Sequence, residues 1–243
     1  MQIGGDVSAK EGWRIAVSLI YAYTKEQEKT QQIVQSLGLC SETECKVQLT
    51  MADRKINAIT STSAGRLFDG VSAILGIRRF STFEGEASMT LEFVAEAYEK
   101  ETGSAEAFSK VVKETEIPLL KETQESRMIL NTGALVEELV KARMVGEDVG
   151  YLAYYFHAQL ARQIVAVCVR IREENGRNKV ALSGGVFQNL LLLRLTDELL
   201  EAEKFEVLRH SMIPPNDGGI AVGQAVYGMQ QLYKRKQDSE GGE

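Results

Sequence analysis

Apolar residues recur at helical spacing over most of this chain. Trp13, Ile15, Ala16, Leu19, Ile20 and Ala22 make one face of a helix, and Ser8 and Glu11 stand at capping-box spacing to open it. Lys25 to Leu37 predicts a second, more polar helix ending at Gly38, a C-cap residue by type. Ser41 to Arg54 predicts a third, with Val47, Leu49 and Met51 among its apolar positions. Behind the hydroxyl-rich start Thr60-Ser-Thr-Ser63, the residues Leu67, Phe68, Val71, Ile74 and Leu75 predict a fourth. Phe83-Glu-Gly-Glu-Ala87 leads into a fifth through Met89, Leu91, Phe93, Val94 and Ala97. Lys100 to Glu116 is polar and weakly patterned, and reads as a surface excursion. Pro118 breaks any helix, Arg127 to Asn131 predicts a short strand, and Ala134 to Met144 a helix followed by Gly146. A long helix over Val149 to Glu174 carries Leu152, Tyr155, Phe156, Leu160, Ile164, Val165, Cys168 and Ile171.

The pattern changes in the last third. Val180 to Leu182 is a short strand-forming run, Ser183-Gly184-Gly185 a turn, and Val186 to Leu200 an amphipathic helix directly after it. A second strand, Phe205 to Leu208, leads to Ile213-Pro-Pro-Asn-Asp-Gly-Gly-Ile220. A last helix then runs to about Lys234 with Ile220, Val222, Val226 and Met229 on one face. The tail, residues 236–243, is polar and glycine-bearing, and is expected to be disordered. This alternation is the signature of an α/β nucleotide fold, but the helical content ahead of it is too great for a plain doubly wound sheet. No Gly-x-x-x-x-Gly-Lys-Ser/Thr occurs, and no Gly-x-Gly-x-x-Gly follows a strand. Phosphates held by glycine turns from separate parts of the chain suggest the actin, sugar-kinase and Hsp70 type of ATPase fold, helix-rich α/β.

Composition narrows the partners. Hydrophobic residues at 44% and charged residues at 26% make an ordinary soluble balance over 243 residues. A net charge of -6 supplies no general positive field, which argues against a nucleic acid as the main partner. No run of 18 apolar residues is present, so no membrane span is expected, and Met1-Gln-Ile-Gly-Gly has no signal-peptide character. Cys40 and Cys45 lack zinc-knuckle spacing, and Cys168 lies in an apolar helical run as core filler. Reduced thiols in a cytoplasmic protein is the expectation. Gly4-Gly5-Asp6 is an abrupt loop start with no element before it.

Two segments carry candidate chemistry. At Ser183-Gly184-Gly185 a ligand can approach the main chain without a Cβ in the way, and the first N–H groups of the following helix suit a phosphate. A bare Gly-Gly turn is otherwise only a tight connection. Asn189, just inside that helix, is within reach of a base or sugar. In the Pro-Pro loop, Asn216 or Asp217 can cap the last helix, and Asp217 can instead be a metal ligand beside a phosphate. Arg66 and Asp69 form a helix-surface ion pair at i,i+3, or Asp69 accepts from a ribose diol. Gly85 is another place where backbone can lie close to a ligand. His157, alone in a core helix, is read as a packed and hydrogen-bonded core residue.

Taken in order, Ser61-Thr-Ser-Ala-Gly-Arg-Leu-Phe-Asp69, Phe83-Glu-Gly-Glu-Ala87, Leu182-Ser-Gly-Gly-Val-Phe-Gln-Asn189 and Pro214-Pro-Asn-Asp-Gly-Gly219 resemble the carbamoyltransferase domain of the HypF family. Gly4-Gly-Asp6 and the Phe156-His157 pair fit the same family, so the resemblance covers nearly the whole chain. That family matures [NiFe] hydrogenases, and its fold relatives include O-carbamoyltransferases. The resemblance implies that carbamoyl adenylate, made from carbamoyl phosphate and ATP in a YrdC-like domain, gives its carbamoyl group to the C-terminal cysteine thiol of HypE. It implies that Gly184 and Gly185 cradle the phosphate, Asn189 contacts the adenosine, Asp69 holds the ribose, and Gly65 and Gly85 line the nucleotide cleft. It further implies that Asp217 ligates a divalent metal, whose other ligands are two histidines and an aspartate of a first lobe. His157 and His210 stand in no such motif. The attacking thiolate comes from the acceptor, so no catalytic nucleophile is expected in this chain. Residues 1–243 are therefore expected to form one partial domain, the second lobe of a two-lobed ATPase-type fold. Alone it would be inactive, and would pair with its first lobe or with a second copy. A reading from another class is a non-catalytic nucleotide-binding or interaction module that completes a cleft with another chain.

Overall fold

The computed structural model describes residues 2–115, 117–123 and 127–240, the last six by backbone alone. A two-residue strand, β1 (Gln2–Ile3), is followed by a single turn, α1 (Val7–Lys10), and by α2 (Gly12–Thr24). The Ser8–Glu11 capping box does not form: Ser8 Oγ donates to the Gly5 carbonyl at 2.6 Å, and Glu11 pairs with Arg14. The box is found one hairpin later. Ser41 accepts from the Glu44 N–H while the Glu44 carboxylate accepts from the Ser41 N–H, which opens α4 (Glu42–Asp53) after α3 (Gln27–Ser36). Strand β2 (Ala58–Ile59) pairs antiparallel with β1.

Next come α5 (Ala64–Ile74), α6 (Glu86–Thr102) and α7 (Ser104–Glu114). The segment expected to be a surface excursion is thus mostly a helix, α7, packed on α6 and α9 through the fully buried Ala107 and Val111. Two small apolar residues one helical turn apart suffice when the neighbouring helices lie close. An antiparallel hairpin, β3 (Leu120–Glu122) with β4 (Met128–Leu130), precedes α8 (Thr132–Met144) and the 27-residue α9 (Val149–Asn175). Asp148 caps α9 by accepting from the Tyr151 N–H at 2.7 Å, and Gly176 ends it in a left-handed conformation.

The core is a layer of helices. Helix α2 packs on α3, α4, α5 and α8, while α9 packs on α6, α7, α8 and α10. Phe68, Leu91, Leu135, Leu139, Tyr154 and Phe156 are among the side chains it seals off completely. Helices α2 and α5 cross so closely that a Cβ on Gly70 would lie 2.6 Å from Leu19 Cδ1 and 3.0 Å from Ile15 Cγ2.

At the C-terminal end, β5 (Lys179–Leu182) and β6 (Glu206–Arg209) pair in parallel, with Lys179 opposite Glu206 and Leu182 opposite Arg209. Helix α10 (Leu190–Ala202) crosses between them, and a small second core of Val165, Leu182, Leu200 and Phe205 lies beneath. The half-buried Cys168 packs against that second core. The last helix, α11 (Ile220–Glu240), runs beyond the expected end at Lys234. Residues 236–240 of the expected disordered tail are therefore helical, and 241–243 lie outside the described residues. The apolar face read from the sequence is open: Ile220 is 54% exposed, Val222 43%, Val226 44% and Met229 63%, and Leu232 and Tyr233 are exposed as well. No helix among the described residues is long and apolar enough to cross a membrane.

Candidate functional site

One wall of the site is built into the helical core. Ser63 caps α5 by accepting from the Arg66 N–H, and one turn on Asp69 is held in the α2–α5 crossing, only 4% exposed. Its Oδ2 is 3.0 Å from Arg66 Nη2, so the i,i+3 ion pair exists. Burial pushes the Asp69 carboxyl up to about 6, with the Arg66 guanidinium pulling it back. Gly85, left-handed with φ 82°, starts α6.

The other wall is made of the two glycine loops. Leu182 ends β5 in the small core, Gly184 turns the chain with φ 100°, and Gly185–Gln188 form a turn of 3-10 helix. The amphipathic helix therefore does not follow at once, as Val186 and Phe187 suggested by continuing its apolar pattern. It starts at Leu190, with Asn189 as its N-cap and not inside it. The Gly184 N–H donates to the Pro215 carbonyl at 2.9 Å, which clasps the first glycine loop to the second. Within the second loop Asn216 Oδ1 accepts from the Gly218 N–H at 3.0 Å, so the cap is Asn216, and the exposed Asp217 carboxylate is not used for it. A Cβ on Gly219 would lie 2.7 Å from the Pro214 carbonyl oxygen, which fixes glycine there.

The N-terminus of α10 is already occupied. Asn189 Oδ1 accepts from the Leu192 N–H at 2.8 Å, and Glu92 Oε1 from α6 accepts from Leu190 and Leu191 at 2.6 and 3.2 Å. Burial raises the Glu92 carboxyl, and those two N–H groups oppose the shift. The helix N-terminus foreseen as the phosphate seat is thus filled by a protein carboxylate. The N–H groups that open the 3-10 turn, at Gly185 and Val186, have no partner within that turn.

The two walls enclose a cleft of about 830 Å³. Gly65, Asp69, Gly85, Gly185, Asn189 and Asp217, spread over 153 positions of the chain, all line it. Gly184 shapes the turn from behind and is not on the surface of the cleft. Glu84, Ser88, Glu92, Phe93, Glu96, Gln188 and Asn216 also line it and were not foreseen. Five carboxylates (Asp69, Glu84, Glu92, Glu96 and Asp217) face one guanidinium, that of Arg66. Among the described residues no group of three or more histidine, cysteine, aspartate or glutamate side chains is placed to hold a metal ion. Asp217 alone does not make such a site, so the described residues do not fit a metal centre of their own.

Residues 1–224 match the family described as the second subdomain of the Kae1-like domain of carbamoyltransferases. The chain belongs to this HypF family. A probable carbamoyltransferase HypF of Methanocaldococcus jannaschii is 28% identical over 93% of this chain and 27% of its own length. A carbamoyltransferase HypF of Rhodobacter capsulatus is 32% identical over 95% of this chain and 27% of its own. The chain thus spans little more than a quarter of these relatives. Full-length HypF in a phosphate- and nucleotide-bound form superposes with a TM-score of 0.77 at 31% identity, over 95% of this chain and 28% of that one. T. kodakarensis HypF shares the fold with a TM-score of 0.74 at 23% identity.

Proposed function

We propose that this chain is the nucleotide-holding lobe of a HypF-type carbamoyltransferase, with carbamoyl adenylate as the ligand and the C-terminal cysteine of HypE as acceptor. The observation that carries the reading is the convergence of Gly65, Asp69, Gly85, Gly185, Asn189 and Asp217 on one cleft, in a chain that resembles a phosphate- and nucleotide-bound HypF. In this reading the Gly185 and Val186 N–H groups receive the phosphate, Asp69 accepts from the ribose hydroxyls, and Asn189 contacts the adenosine. The acceptor thiolate attacks the carbamoyl carbon, the bond to the phosphate oxygen breaks, and AMP leaves with the electron pair. A divalent metal would supply charge neutralisation for the phosphate in this acidic cleft, with Asp217 as one ligand and the remainder from a first lobe.

The uncovered end of the molecule supports a two-lobed arrangement of the actin, sugar-kinase and Hsp70 kind. Parallel strands are ordinarily covered on both faces, yet Ala181 and Leu208 are exposed and α11 offers a row of apolar side chains to solvent. The first lobe, or a second copy in its absence, is the partner that this face fits.

Calorimetric titration of ATP and ADP into the chain tests the site. Binding that Asp69→Ala and Gly185→Val each weaken by at least about tenfold is expected, a loss of about 1.4 kcal/mol. Binding left unchanged by both would remove the nucleotide from this cleft. Turnover of carbamoyl phosphate by the isolated chain is not expected, and its observation would refute the need for a first lobe.

A further inference from the structure

His157 takes no part in the chemistry above and does not line the cleft. It is wholly buried on α9, yet both ring nitrogens are engaged: Nδ1 lies 2.8 Å from the Ala153 carbonyl oxygen and Nε2 3.0 Å from Asn189 Nδ2. The proton positions follow from the partners. Leu192 offers Asn189 a backbone N–H, so the oxygen end of the Asn189 carboxamide must face it, at 2.8 Å. Nδ2 then faces His157 and can only donate. Nε2 must be bare to accept, which leaves the proton on Nδ1, where it donates to Ala153. One order of donors and acceptors satisfies the whole chain from Ala153 to Leu192. A second proton on the ring would set N–H against N–H.

Packing fixes the ring plane as well. Phe68 and Phe156 meet it edge-on, with centroids 5.4 and 5.5 Å away. Phe68 immediately precedes Asp69 on α5, and Asn189 both caps α10 and lines the cleft. The imidazole therefore sits where α5, α9 and α10 meet, directly behind the wall of the site.

We infer that His157 is a positioning residue: its ring, protonated on Nδ1, holds the Asn189 carboxamide in one orientation toward the cleft. The remaining N–H of Nδ2 and the second lone pair of Oδ1 are then presented side by side to the ligand, a donor–acceptor pair suited to the edge of a purine base. The ligand part of this inference rests on the reading of Asn189 as the adenosine contact; the orientation of its side chain does not.

Nitrogen-15 NMR of the full chain, with His157→Phe and His157→Gln alongside, separates the two parts. A glutamine oxygen can accept where Nε2 does, whereas phenylalanine fills the space and accepts nothing. The unmodified protein is expected to show the Nδ1-protonated tautomer. The Asn189 side-chain amide resonances should move in His157→Phe and return toward their original positions in His157→Gln. Adenosine nucleotide affinity should follow, about fivefold to tenfold weaker in His157→Phe and within about twofold of the original in His157→Gln. A proton on Nε2, or Asn189 resonances that respond equally to both variants, overturns the inference. A purely structural histidine would give that equal response. Absence of nucleotide binding by the unmodified chain would instead refute the reading of Asn189, while the tautomer and the amide resonances still decide the role of His157.

Discussion

The cleft has two unlike walls. On one side Asp69, Gly85 and Glu92 sit on α5 and α6, helices whose inner faces are sealed against α2 and α9. On the other side Gly185 and Asp217 sit on loops at the ends of a two-stranded parallel sheet, next to a helix with an open apolar face. Asp69 and Glu92 on the first wall are held by burial, which also raises their proton affinity. Asp217 on the second sits on a loop clasped to its neighbour by one backbone hydrogen bond and stays exposed. The first wall is backed by the helical core, whereas the second rests on strands and a helix that leave apolar side chains exposed.

Glycine substitutions should separate the two walls most sharply. Gly70→Val forces methyl groups into Leu19 and Ile15 and should cost about 3 kcal/mol, read as a lower denaturant midpoint at unchanged slope. A Cβ on Gly185 would meet only Gln188 Oε1, at 3.8 Å, so Gly185→Val should stay within about 0.5 kcal/mol of the unmodified protein while losing nucleotide. Equal destabilisation by the two would erase the distinction.

Acidification probes two buried groups, Asp69 on the first wall and His157 behind it. Burial holds His157 down to about 4, so stability that it contributes above the ordinary histidine range is lost as pH falls toward 4. Asp69, raised to about 6, has the opposite sign: its contribution is full below the ordinary aspartate range and lost as pH rises through 6. Each is on the order of 3 kcal/mol, and between pH 6.5 and 4 they nearly cancel. Asp69→Asn removes one of them. The variant should therefore lose about 3 kcal/mol more than the unmodified protein over that window, by unfolding at several pH values; parallel curves would contradict the Asp69 assignment, and a variant whose stability stays flat would contradict that of His157.

Smaller effects follow. Glu92→Ala strips two N–H groups of their acceptor at the start of α10 and should cost about 1–2 kcal/mol. Glu92→Gln keeps an acceptor oxygen and should cost less, as thermal unfolding would report. Met229→Glu and Leu232→Glu on α11 should change the stability of the chain by less than about 0.5 kcal/mol. By sedimentation they should abolish its association with a first lobe or a second copy. A large loss of stability from these two would mean that α11 is already packed.

Much of this site could be read from the sequence because its motifs are local. Each glycine-bearing segment carries its own turn chemistry, and Gly184 and Gly219 could be placed without knowing what lies across the cleft. The links between segments could not. Nothing in the spacing of 32 residues joins His157 to Asn189. Glu92, set among Leu91, Phe93 and Val94, has the position of a solvent-facing charge, and only the approach of α10 turns it into a cap. The long helix, the parallel strands and most helix ends were legible from periodicity and caps. The apolar face of α11 was legible too, but periodicity tells that a face wants cover, not which surface supplies it.

The clasp between Gly184 and Pro215 has a mechanical consequence. Proline has no N–H and a fixed φ, so the carbonyl it offers stands on one of the stiffest units of the second loop. Through that one bond the turn that would receive a phosphate and the turn that bears Asp217, two residues on, share their degrees of freedom. A displacement that a ligand imposes on one reaches the other as a lever arm would carry it, with no side chain between them.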